Sequence, residues 1–346
     1  MKNIHYISFL RILAMFSIIA AHTVAPPVIY YASQYSDFWL RLSVVIAEIC
    51  RGGVYIFIAI SGALFLQPQK ELALSKLFKK YILRIALSLL IFGTLFALME
   101  IVFTQKTFRP SQILSALLNM VQNKSWGHLW YLYMLAGLYL VTPILKRFVN
   151  GASDCEIRYA LLVLLVFNLL FPTLEKYTGI KVGFYIPFSG VHVFIYLLGY
   201  ALHAKIVRIG DAACFGMILV SLLIFLAECL GHVEIDTIGV HFKGFSVSSV
   251  CVSLIPVSLF SLALNHCKKE IGEKRERCEK LLSELSFGVY IFHAVFLNLI
   301  YQVFHFSPAK VNVVLMWLIV FVITSLLSLL TTYFLRLIPF VRKYIL

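Results

Sequence analysis

"RILAMFSIIAAH", Arg11 to His22, sets one cation and one imidazole in an otherwise apolar segment, with ten residues between them. An apolar segment of this kind reads as part of a membrane span, which needs about 20 such residues. It does not stand alone. Comparable runs recur from the first residues to the last few; 61% of the 346 residues are hydrophobic, 13% are charged, and mean hydropathy is +0.91. That apolar share exceeds the share in a soluble domain. The expected fold is all-α, a polytopic integral membrane helix bundle forming one domain over 1–346, with no appended soluble domain.

Hydropathy together with Pro, Gly and charge punctuation predicts ten spans, near 5–25, 45–66, 82–103, 127–145, 158–173, 190–206, 212–230, 245–265, 287–304 and 312–335. Lys and Arg in alternate loops fix the orientation. One set of loops holds 20 of the 30, including Lys76, Lys79, Lys80, Arg84, the cluster over 268–280, Arg336, Arg342 and Lys343, whereas the opposite set holds seven. Both termini are therefore expected in the cytoplasm. The net charge of +14 follows from this asymmetry and does not describe a nucleic-acid surface, which needs a solvated basic face. The first apolar run lacks a small-residue cleavage signature and reads as a retained helix. Seven cysteines without a CxxC pair indicate neither a disulfide framework nor a zinc site. No HExxH and no GxSxG occurs, so zinc and serine hydrolase chemistry are unsupported.

Ionisable side chains at membrane depth are costly unless they line a wet cavity or find partners. Those expected there are Arg11, His22, Glu48, Arg51, Arg84, Glu100, His128, His192, Glu228 and His293. Eleven helical steps are close to three turns, so Arg11 and His22 share one face, roughly 16 Å apart. Arg11 falls in the cytoplasmic half and His22 in the outer half. Interfacial anchoring and a packed, hydrogen-bonded histidine are the bland alternatives. Arg51 enters the second span near the outer face, where it either pairs with Glu48 or holds an anionic group. Gly52-Gly53 and Ser61-Gly62 are small-residue sites that let helices approach closely. His128, Trp130 and Tyr131 open the fourth span, either as an interfacial aromatic belt or as a platform on which a pyranose ring stacks while His128 donates a hydrogen bond. In the ninth span His293 is expected about two turns from the cytoplasmic end. The run "KLFKKYILRIAL" (76–87) offers Lys79, Lys80 and Arg84 to anionic lipid heads or to a phosphorylated ligand entering from the cytosol.

With these residues in place the sequence resembles the membrane-bound acyltransferase-3 family, ten-span enzymes that O-acylate cell-surface glycans. Arg11 and His22 match its arginine, ten residues, histidine pattern. "VYIFIAISGALF" (54–65), "HLWYLYMLAGLYLVTPIL" (128–145) and "ELSFGVYIFHAVFL" (284–297) resemble further family blocks. Arg51, the His-Leu-Trp block and His293 are similar to the branch containing the O-acetyltransferase of enterobacterial common antigen. The family's arginine, two residues, arginine motif is met at its second position by Arg84. Tyr81 stands at the first, with Lys79 and Lys80 close by.

The resemblance implies that His22 is the catalytic histidine and that Arg11 engages the acyl donor. The expected reaction is O-acetyl transfer from cytoplasmic acetyl-CoA, or another short acyl-CoA, to a hydroxyl of a cell-surface or lipid-linked glycan. Lys79, Lys80 and Arg84 would hold the donor phosphates, no metal is called for, and His22 would act as general base. Arg51 and Ser61 are oxyanion candidates; Glu48, His128, Trp130, Tyr131 and His293 complete the acceptor side, with Trp126, Tyr185 and His192 behind them. Small residues beside His22, Ala20 and Ala21, favour a short acyl group. The outer loops 104–127, 174–190 and 231–244 are expected to bind the acceptor. Expected partners are that saccharide, membrane lipids and other envelope glycan assembly proteins, but no nucleic acid, and the expected location is the bacterial inner membrane. An exporter using intramembrane His, Arg and Glu is the alternative, although no internal repeat of the transporter type is visible.

Overall fold

The computed structural model describes residues 5–180, 183, 190–229, 232–236, 239–243, 248–267 and 271–346. Among them the chain is helical apart from one hairpin. In order, the helices are α1 (His5–Tyr30), α2 (Asp37–Arg51), α3 (Gly53–Phe65), α4 (Leu74–Gln105), α5 (Ser111–Val121), α6 (Gly127–Gly151), α7 (Asp154–Glu175), α8 (Val191–His203) and α9 (Asp211–Glu228). Strands β1 (His232–Asp236) and β2 (Gly239–Lys243) pair antiparallel, with His232 opposite Lys243. The chain continues with α10 (Ser248–His266), α11 (Glu273–Val303), α12 (Val313–Leu335) and the short α13 (Pro339–Tyr344).

Among the described residues, seven helical stretches are long and apolar enough to cross a membrane: α1, α2 with α3, α4, α6, α7, α11 and α12. The protein is multi-pass. The other three expected spans fall on α8, α9 and α10, whose apolar parts are shorter. The 13 residues of α8 extend about 20 Å, short of a hydrocarbon core of about 30 Å. Every residue from Phe194 to Leu202 is buried, so α8 is a central helix wrapped by protein on all sides.

Small residues set how closely the helices meet. A Cβ on Gly62 of α3 would fall 1.8 Å from the Tyr196 carbonyl oxygen, and one on Gly199 of α8 would fall 2.1 Å from that of Ala59. The two helices therefore cross backbone to backbone. Gly53 does the same toward α1, where a Cβ would meet the Ala14 oxygen at 2.7 Å. Lys146 of α6 closes the end of this unit, donating to the Gln67 carbonyl at 2.5 Å just past α3, where a cation complements the helix terminus.

Two boundaries differ from expectation for physical reasons. α1 continues through Pro26 and Pro27 to Tyr30. Each proline removes one helical N–H, and the carbonyl freed at Thr23 is taken up by the Tyr301 hydroxyl at 2.8 Å. α11 starts at Glu273 and not near 287, because its charged first turns are held by pairs at helical spacing, Arg275 with Glu279 at 2.8 Å and Arg277 with Glu273 at 3.4 Å. Glu279 also meets His5 of α1 at 2.5 Å. This joins the start of α1 to the first turns of α11 at one end of the bundle, called here the basic end.

Candidate functional site

Away from the basic end, α1, α2, α4, α6 and α11 surround a cavity of about 740 Å³, lined by His22, Arg51, Glu100, Trp126, His128, Trp130, Tyr131 and Tyr290 among others. The His22 ring faces into it and lies 5.1 Å, centroid to centroid, from the ring of His293, which is 5.2 Å from the ring of His128. The three imidazoles form a row. His128 Nε2 lies 3.2 Å from the Ile291 carbonyl and donates to it, and the His128 carbonyl accepts from the Tyr290 hydroxyl. His293 is fully buried, and its Nδ1 donates to the Tyr290 carbonyl at 2.7 Å. In the neutral ring its Nε2 is then the acceptor nitrogen, and it has no hydrogen-bond partner among the described residues. A buried acceptor without a donor is costly; this one stands behind His22.

The same helix face carries Arg11 into a second cavity of about 300 Å³, shared with Ser61, Tyr81, Arg84, Glu284 and Arg336. A third hollow of about 440 Å³, at the basic end, is lined by Lys79, Lys80, Leu83, Arg84, Arg342, Lys343 and Tyr344. Arg84 borders both the second and the third. Its guanidinium donates to the Arg342 and Lys343 carbonyls at 3.2 and 3.4 Å, which fixes the last residues beside it. Lys79 and Lys80 lie in a π-helical turn, Leu77–Ile82; such turns often occur at functional positions. Among the described residues five cations and no carboxylate line this hollow, a lining suited to phosphate groups.

The structure thus separates the residues expected to act together. Arg11 and His22 do share a face but open into different cavities. Arg51, Trp126, Trp130, Tyr131 and His128 join His22. Arg51 is also the ion-pair partner of buried Glu48, at 2.9 Å. Ser61 sits with Arg11, its hydroxyl donating to the Phe57 carbonyl at 2.9 Å, away from the His22 cavity. His293 lies beside His22, twenty residues into α11 and not two turns from its end, because the helix begins earlier than hydropathy indicates. His192 lies tilted beside Trp130, with centroids 5.7 Å apart, and does not line the cavity. Tyr185 and the side chain of Glu228 lie outside the described residues.

In the sequence Arg336, Arg342 and Lys343 read as loop charges only, yet they border the second and third hollows. Their spacing from the C-terminus carried no signal beyond positive charge. Glu100 was flagged by depth alone; it accepts from Trp126 Nε1 at 3.1 Å at the cavity wall.

A multi-pass bundle that presents an open imidazole in one cavity and guanidinium groups in the next has the build of a membrane enzyme. The family model described as "Acyltransferase domain", that of the acyltransferase-3 family, matches residues 4–333, and the chain belongs to this family. It is a membrane acyltransferase. No curated protein and no solved structure matches the chain.

Proposed function

We propose that the protein is a ten-span O-acetyltransferase of the bacterial inner membrane, with both termini in the cytoplasm. It would move an acetyl group from cytoplasmic acetyl-CoA to a hydroxyl of a cell-surface or lipid-linked glycan, as in the enterobacterial common antigen branch. One observation carries the reading: two cavities open off the Arg11–His22 face, the His22 one lined with aromatic rings, and a basic hollow adjoins the Arg11 one through their shared Arg84.

In this reading Lys79, Lys80, Arg342 and Lys343 hold the donor phosphates, and Arg84 guides the acyl-bearing arm inward past Arg11. The acceptor saccharide lies against Trp126, Trp130 and Tyr131, with Arg51 and Glu100 as polar contacts at the wall. His22 takes the proton of the acceptor hydroxyl as its oxygen bonds to the acyl carbon. The carbon–sulfur bond breaks, and the proton leaves with the sulfur as a thiol. His293 steadies the protonated His22 by offering its Nε2 lone pair. Arg51, in the same cavity as His22, is the cation positioned to meet developing oxyanion charge.

The test is mass spectrometry of surface-glycan acetylation in a deletion strain carrying the parent chain or His22→Ala at matched membrane levels. Acetyl groups present with the parent and absent with the variant are expected. Acetylation undiminished in His22→Ala removes His22 as the base, and a deletion that changes no acyl group overturns the assignment and favours export.

A further inference from the structure

The His22 cavity and the Arg11 cavity have two wall residues in common, Tyr131 and Tyr290. Both side chains are buried, and their rings meet edge to face at 5.3 Å with an interplanar angle of 67°. Aromatic rings at that separation are in contact, so the pair forms a shared wall between the two compartments. The two halves of the closure are held differently. Tyr290 is pinned at both ends: its hydroxyl donates to the His128 carbonyl, and its own carbonyl accepts from His293. Tyr131 rests against Phe57 and Trp130 at 6.4 Å each, and no hydrogen bond within the described residues fixes its hydroxyl. If the pair opens, Tyr131 is the leaf that moves and Tyr290 the post.

We infer that Tyr131 and Tyr290 form an aromatic gate between the donor and acceptor compartments, and that its width selects unbranched short acyl groups over branched ones. The inference rests on the proposed acyl transfer. The acyl carbon has to come from the Arg11 side to a hydroxyl held at His22, and the gate stands between them. A slit limits cross-section and not length. A straight propionyl group presents nearly the same cross-section as acetyl, whereas isobutyryl carries an extra methyl that meets a ring. One such methyl in a close apolar fit is worth about tenfold or more in discrimination. The closed gate also keeps the water of the open outer cavity from the thioester, so loosening it should raise hydrolysis.

The experiment uses the full-length protein in proteoliposomes, supplied with acetyl-, propionyl- or isobutyryl-CoA on the basic-end side and with acceptor glycan on the other. For the parent, acetyl and propionyl transfer should be within a few fold of each other, with isobutyryl at least about tenfold lower. Tyr131→Ala should bring isobutyryl to within about threefold of acetyl and raise acetyl-CoA hydrolysis without acceptor, whereas Tyr131→Phe should keep the parent's selectivity. An unchanged isobutyryl-to-acetyl ratio in a Tyr131→Ala protein that still transfers acetyl overturns the gate and leaves acyl transfer standing. A parent that transfers nothing from any of the three overturns the proposed function, and the gate's selectivity with it.

A second readout does not depend on turnover. In a background with the native cysteines replaced, Ser61→Cys, which lines the Arg11 cavity, is probed with a membrane-impermeant maleimide from the His22 side. Labelling should be at least about tenfold faster with Tyr131→Ala than with Tyr131 intact. Equal labelling rates overturn the gate even where the alanine variant is inactive.

Discussion

Replacing His293 with Phe removes an imidazole nitrogen pair while keeping a flat ring in a fully buried site. In the native arrangement Nδ1 is committed to the Tyr290 carbonyl at 2.7 Å, so the ring can act toward His22 only as an acceptor through Nε2. When His22 takes a proton it becomes a cation, and a hydrogen bond from such a cation to a buried acceptor contributes about 1.5–3 kcal/mol. With tenfold in rate for each ~1.4 kcal/mol, kcat should fall roughly 10- to 150-fold. His293 lines neither the His22 cavity nor the Arg11 cavity, so KM for the acyl donor should hold within about twofold. The assay is initial-rate acyl transfer by purified protein in proteoliposomes, with kcat and KM separated, for the parent, His293→Phe and His293→Gln. Gln offers a carbonyl oxygen as acceptor and should restore part of kcat. The positioning role is refuted if His293→Phe keeps kcat within about threefold, or if Phe and Gln lose it equally.

Two further predictions concern the scaffold and the basic end. Gly199→Ala drives a methyl to 2.1 Å from the Ala59 carbonyl oxygen, a backbone atom that cannot step aside. It should cost about 3 kcal/mol and appear as a lower melting temperature in detergent, whereas Gly216→Ala, with nothing within 4 Å of the added carbon, should be neutral. Arg342→Ala with Lys343→Ala removes two of the five cations at the third hollow. At partly solvated positions this should raise KM for the donor about three- to tenfold, less in high salt, with kcat unchanged; a changed kcat with constant KM counts against phosphate binding there.

The membrane character and the shared face of Arg11 and His22 are legible because both are local properties, an apolar run and a helical repeat. What hydropathy could not carry is the pairing between distant segments. Gly62 signals a close approach, but nothing in "ISG" names Tyr196 as the backbone it meets. Hydropathy starts the ninth span near 287 because residues 273–284 are charged. The helix nevertheless begins at Glu273, since Arg275 and Arg277 find carboxylates at helical spacing, and those extra turns place His293 well inside a longer helix. The Pro26-Pro27 pair reads as a stop, yet α1 passes through it because Tyr301, far along the chain, supplies a hydroxyl to the freed Thr23 carbonyl.

The separation of Arg11 from His22 follows from the same limit. Spacing gives distance along one helix and says nothing of what fills the space beside it. Three turns set the cation and the base roughly 16 Å apart, which alone would suit a single elongated cleft. The partition is made by α6 and α11, whose Tyr131 and Tyr290 close against each other at the level between the two side chains. A hydroxyl acceptor in water would compete with water itself for an activated acyl group. With Arg11 engaging the donor in one compartment and His22 activating the acceptor in the other, as proposed, a gate between them would make transfer depend on both ligands being in place.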